Sequence, residues 1–177
     1  SEEDVFDAIA IRGCLEGMAV RRAAEQGVPA VVLQRLHRCV DELDEVVDRL
    51  EVDPDLTEYV KLNDRFHELM LDAAQSDMIR RTLAKVTSLP FAAPNAFVSV
   101  SNANSPEVRK ILIVAQDQHR GLLEALEQRD GARAASLASE HSRSAWRYLQ
   151  RVFQMQESLP TLSGMNLVVR RGTSELL

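Results

Sequence analysis

Very little in this 177-residue sequence suits a membrane, a cross-linked scaffold or a β-sheet. No run approaches the roughly 18 consecutive apolar residues that a spanning helix requires. The opening SEEDVFD is acidic where a secretory leader would be basic and then apolar. The two cysteines, Cys14 and Cys39, form no CxxC pair, which argues against a zinc ribbon or a disulfide framework; both fall in helical segments and read as buried small hydrophobes. Aromatic residues reach only 5%, and β-branched alternation is nearly absent before the tail. Basic excess is missing as well: the formal net charge is −6, so the chain repels phosphate backbones, and contact with nucleic acid falls to something outside it. What remains is expected to be a soluble, cytoplasmic polypeptide, 45% hydrophobic and 27% charged, long enough for one domain with a buried core.

The signal that is present is apolar recurrence at steps of three and four, which predicts helices. They are expected at about residues 3–26, 29–51, 56–75, 78–89, 106–128 and 131–156. In the first, Val5, Ile9, Arg12, Glu16, Ala19 and Ala23 share one line, with Ala8, Ile11, Leu15 and Met18 beside it. Gly27 and Pro29 end that helix, Asp53-Pro54-Asp55 breaks the second, Ser76-Asp77 reads as a kink or cap, and Asp130 suits an N-cap. Residues 90–106 have no period and read as a loop, of a length more often used for a lid or an interface arm. The expected organisation is a helical domain over residues 1–157, an all-α antiparallel bundle of six to seven helices. A mostly irregular tail over 158–177 follows, in which LVVR (167–170) could be a short strand or a swapped arm.

Three of the four histidines, His67, His119 and His141, sit on the apolar stripes of three different helices, where leucine would be ordinary. Each alone reads as a satisfied core histidine; three together would need three separate sets of partners. One divalent metal removes that difficulty, since it accepts the lone pair of each neutral imidazole. Asn63, four residues before His67, lies on the same face and offers a fourth ligand oxygen, with Asp64 as the alternative. Zinc is the default for this set, and nickel, manganese or iron would accept it. Open coordination positions would take water or a small carboxylate. Arg12 either pairs with Glu16 inside the bundle or grips that anion. His37, flanked by Arg35 and Arg38, reads as a surface residue.

Three stretches, IRGCLEGMAVRRAAE, NDRFHELMLDAA and HRGLLEALEQRDGARAASLASEH, make the sequence resemble the C-terminal effector-binding FCD domain of FadR-type regulators in the GntR family, over about residues 5–150. The last stretch, with 22 residues from His119 to His141 and Asp130 between them, is the specific one. The resemblance implies a helical bundle, often dimeric, whose interior metal holds a small organic acid that changes how an attached winged helix-turn-helix domain sits on DNA. It places the metal on His67, His119 and His141, with Asn63 where the family usually has aspartate, and the family's arginine on Arg12. Gln75-Ser76 stands where Gly-Asn is usual. The DNA-binding domain is absent from these residues, which implies an excised or partial regulator.

The function expected is therefore metal-dependent sensing of a small carboxylate, and dimerisation, in a bacterial transcription regulator, and not catalysis. The alternatives are a metal-dependent hydrolase, which lacks an obvious general base because Glu140 should face away from His141, and a metal-free helical interaction domain.

Overall fold

Among the described residues six helices form: α1 (Glu2–Gln26), α2 (Ala30–Arg49), α3 (Thr57–Ala74), α4 (Asp77–Thr87), α5 (Pro106–Glu127) and α6 (Gly131–Gln156). The computed structural model describes residues 1–50, 55–96 and 106–156, with the side chains of α6 described through Arg151. Of the aperiodic stretch expected as a loop, residues 90–96 make successive turns, while 97–105 lie outside the described residues, as does the tail with its LVVR segment.

Local chemistry explains the boundaries. Asp55 Oδ1 accepts the Thr57 N–H at 2.9 Å where α3 begins, Ser76 Oγ accepts the Ile79 N–H at the start of α4, and Asp130 Oδ1 accepts the Arg133 N–H at 2.9 Å at the start of α6. Each satisfies an amide that has no partner within its own helix. Gly27 closes α1 at φ 84°, and its missing side chain leaves room for Arg129, whose Nη2 donates to the Gln26 carbonyl at 2.9 Å.

Side-chain pairings give the arrangement. α1 packs on α6, α6 on α5, α5 on α2, α2 on α3 and α3 back on α1, a closed ring of five helices with α4 docked against α1. Gln118 meets His141 and Glu124 meets Arg133, so α5 and α6 run antiparallel. His37 meets Glu127 and Asp44 meets Arg120, which makes α2 and α5 antiparallel too. An odd ring cannot alternate throughout, and the parallel seam is α1–α3, where Glu16 meets His67 and Arg22 donates to the Ala74 carbonyl. Along α1–α6 the helices approach closely: a Cβ on Gly13 would lie 2.9 Å from Ser142 Cβ, and one on Gly17 would lie 3.2 Å from the Ala135 carbonyl.

The core is Val5, Ile9, Leu36, Leu43, Phe66, Leu69, Leu112, Leu122, Leu126 and Leu149 with their neighbours. On α1 the expected stripe is corrected on one side: Ile11 and Met18 are 52% and 58% exposed, and Cys14 is exposed where burial was expected. The ring covers only the Arg12–Glu16 side of α1, so these three point outward. Cys39 is buried, and its thiol donates to the Leu62 carbonyl.

Gln75, at the C-terminus of α3, adopts φ 48°, ψ 46°, the left-handed conformation that costs an L-residue about 1–2 kcal/mol. Glycine relieves that strain at some cost in unfolded-state entropy. Gln75→Gly is expected to raise the unfolding free energy by about 0.5–1 kcal/mol, read as a higher urea midpoint at unchanged slope.

Candidate metal centre

α3, α5 and α6 bring His67, His119 and His141 together inside the ring, with one ring nitrogen from each lying within 4.8 Å of the others. Ring centroids are 6.0 Å apart for His67–His119, 5.4 Å for His67–His141 and 4.7 Å for His119–His141. His119 is fully buried, His67 nearly so and His141 partly.

Each imidazole is held from behind. His67 Nδ1 lies 3.0 Å from Glu16 Oε1, His119 Nδ1 lies 3.0 Å from Gln116 Oε1, and His141 Nδ1 lies 3.0 Å from Gln118 Oε1. Gln116 cannot turn its amide over, because its Nε2 donates to the Val40 carbonyl at 2.9 Å and to Asp44 Oδ1 at 2.7 Å, both acceptors. Its oxygen therefore faces His119, and the His119 proton sits on Nδ1. With a carboxylate and an amide oxygen as acceptors, His67 and His119 carry a proton on Nδ1, and Gln118 Oε1 offers the same kind of acceptor to His141. The Nε2 atoms of His67 and His119 are buried without a hydrogen-bond partner.

Burial keeps His119 and His141 neutral. Burial, then the neighbouring His141 and His67, push His119 well below the ordinary histidine pKa. Burial, and then His67, push His141 down to about 3. Glu16 is opposed by burial, but His67 and Arg12 prevail and hold it down to about 2.

Asn63, also buried, donates from Nδ2 to Asn95 Oδ1 at 2.9 Å, and its Oδ1 is buried without a partner. Asn63 and His141 line one small cavity of about 20 Å³, room for roughly one water. Asp64 is exposed and bonds Asn95 Nδ2, so the alternative ligand stands apart from the cluster. Arg12 is buried with its Nε 3.7 Å from Glu16 Oε2, and its Nη1 donates to the Ala92 carbonyl at 3.1 Å. Burial lowers its pKa and Glu16 opposes that. Arg12 thus stands in a long ion pair with Glu16. His37 is exposed and bridges to Glu127 at 2.6 Å, a surface residue as expected.

A model of the FCD domain family matches residues 7–144. The chain belongs to the FCD domain family. No curated protein matches it. FCD domains are the C-terminal effector-binding domains of GntR-family regulators, and the matched span of this one contains Arg12, Asn63 and all three clustered histidines. The three histidines of this FCD domain could hold a metal ion: one ring nitrogen from each converges on the others, and the Nε2 atoms of His67 and His119 are buried without other partners.

Four supporting residues escape sequence reasoning. Gln116 and Gln118 carry no signal on their own helix beyond proximity to His119. Asn95 comes from an aperiodic stretch, and Ser142, which donates to Glu16 Oε2 at 3.1 Å, is one residue past His141. Glu16 was legible only as a partner for Arg12; that it also orients His67 was not.

In metal-free protein the depressed pKa values of His119 and His141 have a sign. Their folded values lie below the unfolded value, so the unfolded state takes up protons first. The stability they contribute is complete above pH about 6.5 and is lost as pH falls towards the folded values. With chelator present, the urea midpoint is expected to drop between pH 7 and pH 5, with a limiting slope of up to about 1.4 kcal/mol per pH unit for each ring. A flat profile would contradict this burial.

Proposed function

We propose that this FCD domain senses a small carboxylate through a divalent metal, most simply zinc, held by His67, His119 and His141 with Asn63 Oδ1 as the fourth donor. Nickel, manganese or iron would suit the same donors. The observation that carries the reading is the set of buried atoms with no other role: Nε2 of His67 and of His119, and Oδ1 of Asn63. Leaving such atoms unpaired costs about 1–3 kcal/mol each, and one cation answers them together. When bound, the metal supplies a Lewis-acid position for a carboxylate oxygen.

Arg12 gives the anion its second contact. Its Nε has no hydrogen-bond partner and its pairing with Glu16 is long, so a carboxylate at the metal competes for the guanidinium on good terms. Arg12 and Glu16 lie on α1, and drawing Arg12 towards the effector alters how α1 packs against α3 and α6. A preceding winged helix-turn-helix domain in a homodimeric, cytoplasmic regulator would read that change on DNA. The effector biases the switch only by its differential affinity for the two states.

Hydrolysis is less well supported. Glu140 bonds Arg147 at 2.9 Å at the surface, and Glu16 is committed to His67, Arg12 and Ser142.

Protein purified without chelator or histidine tag is expected to carry about one metal per chain by elemental analysis, and His119→Ala, still helical by circular dichroism, to carry none. Small organic acids in excess are expected to raise the thermal midpoint of the metal-loaded protein, by about 2.7 kcal/mol of apparent stability at 100 times Kd. Arg12→Gln should remove that rise while retaining metal. Metal-free wild-type protein after purification and after direct titration would overturn the reading.

A further inference from the structure

Position 63 is held by a chain of three side chains whose polarity can be read link by link. The Asn95 amide nitrogen donates to the Val60 carbonyl at 3.1 Å and to Asp64 Oδ1 at 2.5 Å. A peptide carbonyl and a carboxylate only accept, so this end of Asn95 must be its nitrogen. Its oxygen is thereby turned to residue 63, where it accepts the Asn63 Nδ2 proton at 2.9 Å. Asn63 Oδ1 is thereby left as a buried atom without a partner, on a residue that lines one cavity with His141. An aspartate at 63 would set a carboxylate oxygen against Asn95 Oδ1 with no proton between them. Asn95 could answer only by turning over and breaking both of its own bonds.

The charges around the cluster complete the observation. Among the described residues, the group placed to hold a metal contains three histidines and no carboxylate. The one buried carboxylate nearby, Glu16, stands behind His67 and is paired with Arg12. Three neutral imidazoles and a neutral amide leave a dication uncompensated in a buried site, where uncompensated charge is costly.

We infer that Asn95, steered by Asp64 and the Val60 carbonyl, is a positioning residue that fixes residue 63 as a neutral oxygen donor, and that this makes metal and carboxylate ligand bind with positive coupling, each tightening the other. The inference rests on the metal reading above and deepens it. The ligand class is a carboxylate that gives the cation its missing negative charge. Asn63 is then a device that makes metal affinity depend on the anion.

The test uses Co²⁺ as metal probe, followed by its visible absorption and by competition with a chromogenic chelator, and acetate as anion probe, with chloride replacing acetate at equal ionic strength. In wild-type protein, saturating acetate is expected to tighten Co²⁺ about tenfold, within the usual range of coupling between sites, and Co²⁺ to tighten acetate by the same factor. Asn63→Asp supplies the charge itself, and its Co²⁺ affinity is expected to change less than about twofold with acetate. Asn95→Ala, a change in a partly exposed turn, is expected to weaken Co²⁺ about tenfold when Asn63 is present, because the amide is free to turn its nitrogen inward. It should have little effect in the Asn63→Asp background, where both ends of the side chain are oxygen. Co²⁺ binding with equal acetate dependence in wild type and Asn63→Asp, or equal losses from Asn95→Ala in both backgrounds, overturns the inference and leaves the metal reading standing. Absence of Co²⁺ binding in every variant overturns both.

Discussion

Everything distinctive about this bundle depends on three hydrogen bonds of 3.0 Å, from the Nδ1–H groups of His67, His119 and His141 to Glu16, Gln116 and Gln118. They decide the tautomer, and the tautomer decides that the lone pairs point at one another instead of at the bundle wall. A core that wanted only to be stable would have leucine at these positions. Keeping imidazoles there costs desolvation, and it keeps their lone pairs unpaired. The bonds also knit the ring. α1 contributes Glu16 and α3 contributes His67 and Asn63. Both glutamines sit on α5, and Gln116 reaches across to Val40 and Asp44 on α2. α6 contributes His141 and Ser142. Every helix of the five-membered ring therefore has a polar tie to the same cluster, and displacement of any one of them is felt there.

α1 has a special place in this scheme. It forms the parallel seam with α3 and packs most closely on α6, where Gly13 and Gly17 leave no room for a side chain. A helix so closely packed does not tilt freely away from its neighbour; a change at the site reaches it through Arg12 and Glu16. Arg12 is bonded at once to the Ala92 carbonyl in the turns that close the cavity and, more loosely, to Glu16. The arginine thus links the turn carrying Asn95 to the helix that leads towards the N-terminus, which is the route a switching signal would need.

How much of this was legible follows from the physics of each position. The helices and most of the core were, because a 3.6-residue period is a property of local sequence. The histidine cluster was legible for a related reason: a polar ring repeated on three apolar stripes contradicts its own pattern, and Asn63 is one turn from His67 on the same helix. What depends on a neighbouring helix was not. Ile11, Cys14 and Met18 fit an amphipathic helix as well as Ala8 does, and only the ring's geometry shows that their side of α1 faces outward. The length of the Arg12–Glu16 pair and the bond from Arg12 to the Ala92 carbonyl are distances that a sequence does not carry. Asn95 lies in a stretch without period, so nothing local distinguishes it from the other asparagines there.

The placement of a single negative charge is the last element. On the proposed donor set a carboxylate could have stood at position 63; instead one stands behind His67, at Glu16, and position 63 carries an amide. The two arrangements are not equivalent. In contact, a carboxylate would neutralise a cation whether or not an effector were present. From behind an imidazole, Glu16 strengthens that ring as a donor, while its charge is already matched by Arg12. A site built the second way keeps its demand for an anion until one arrives. On the proposed reading, a carboxylate that met that demand would also compete for Arg12 and free Glu16, so that charge balance at the cluster and the packing of α1 would change in the same event.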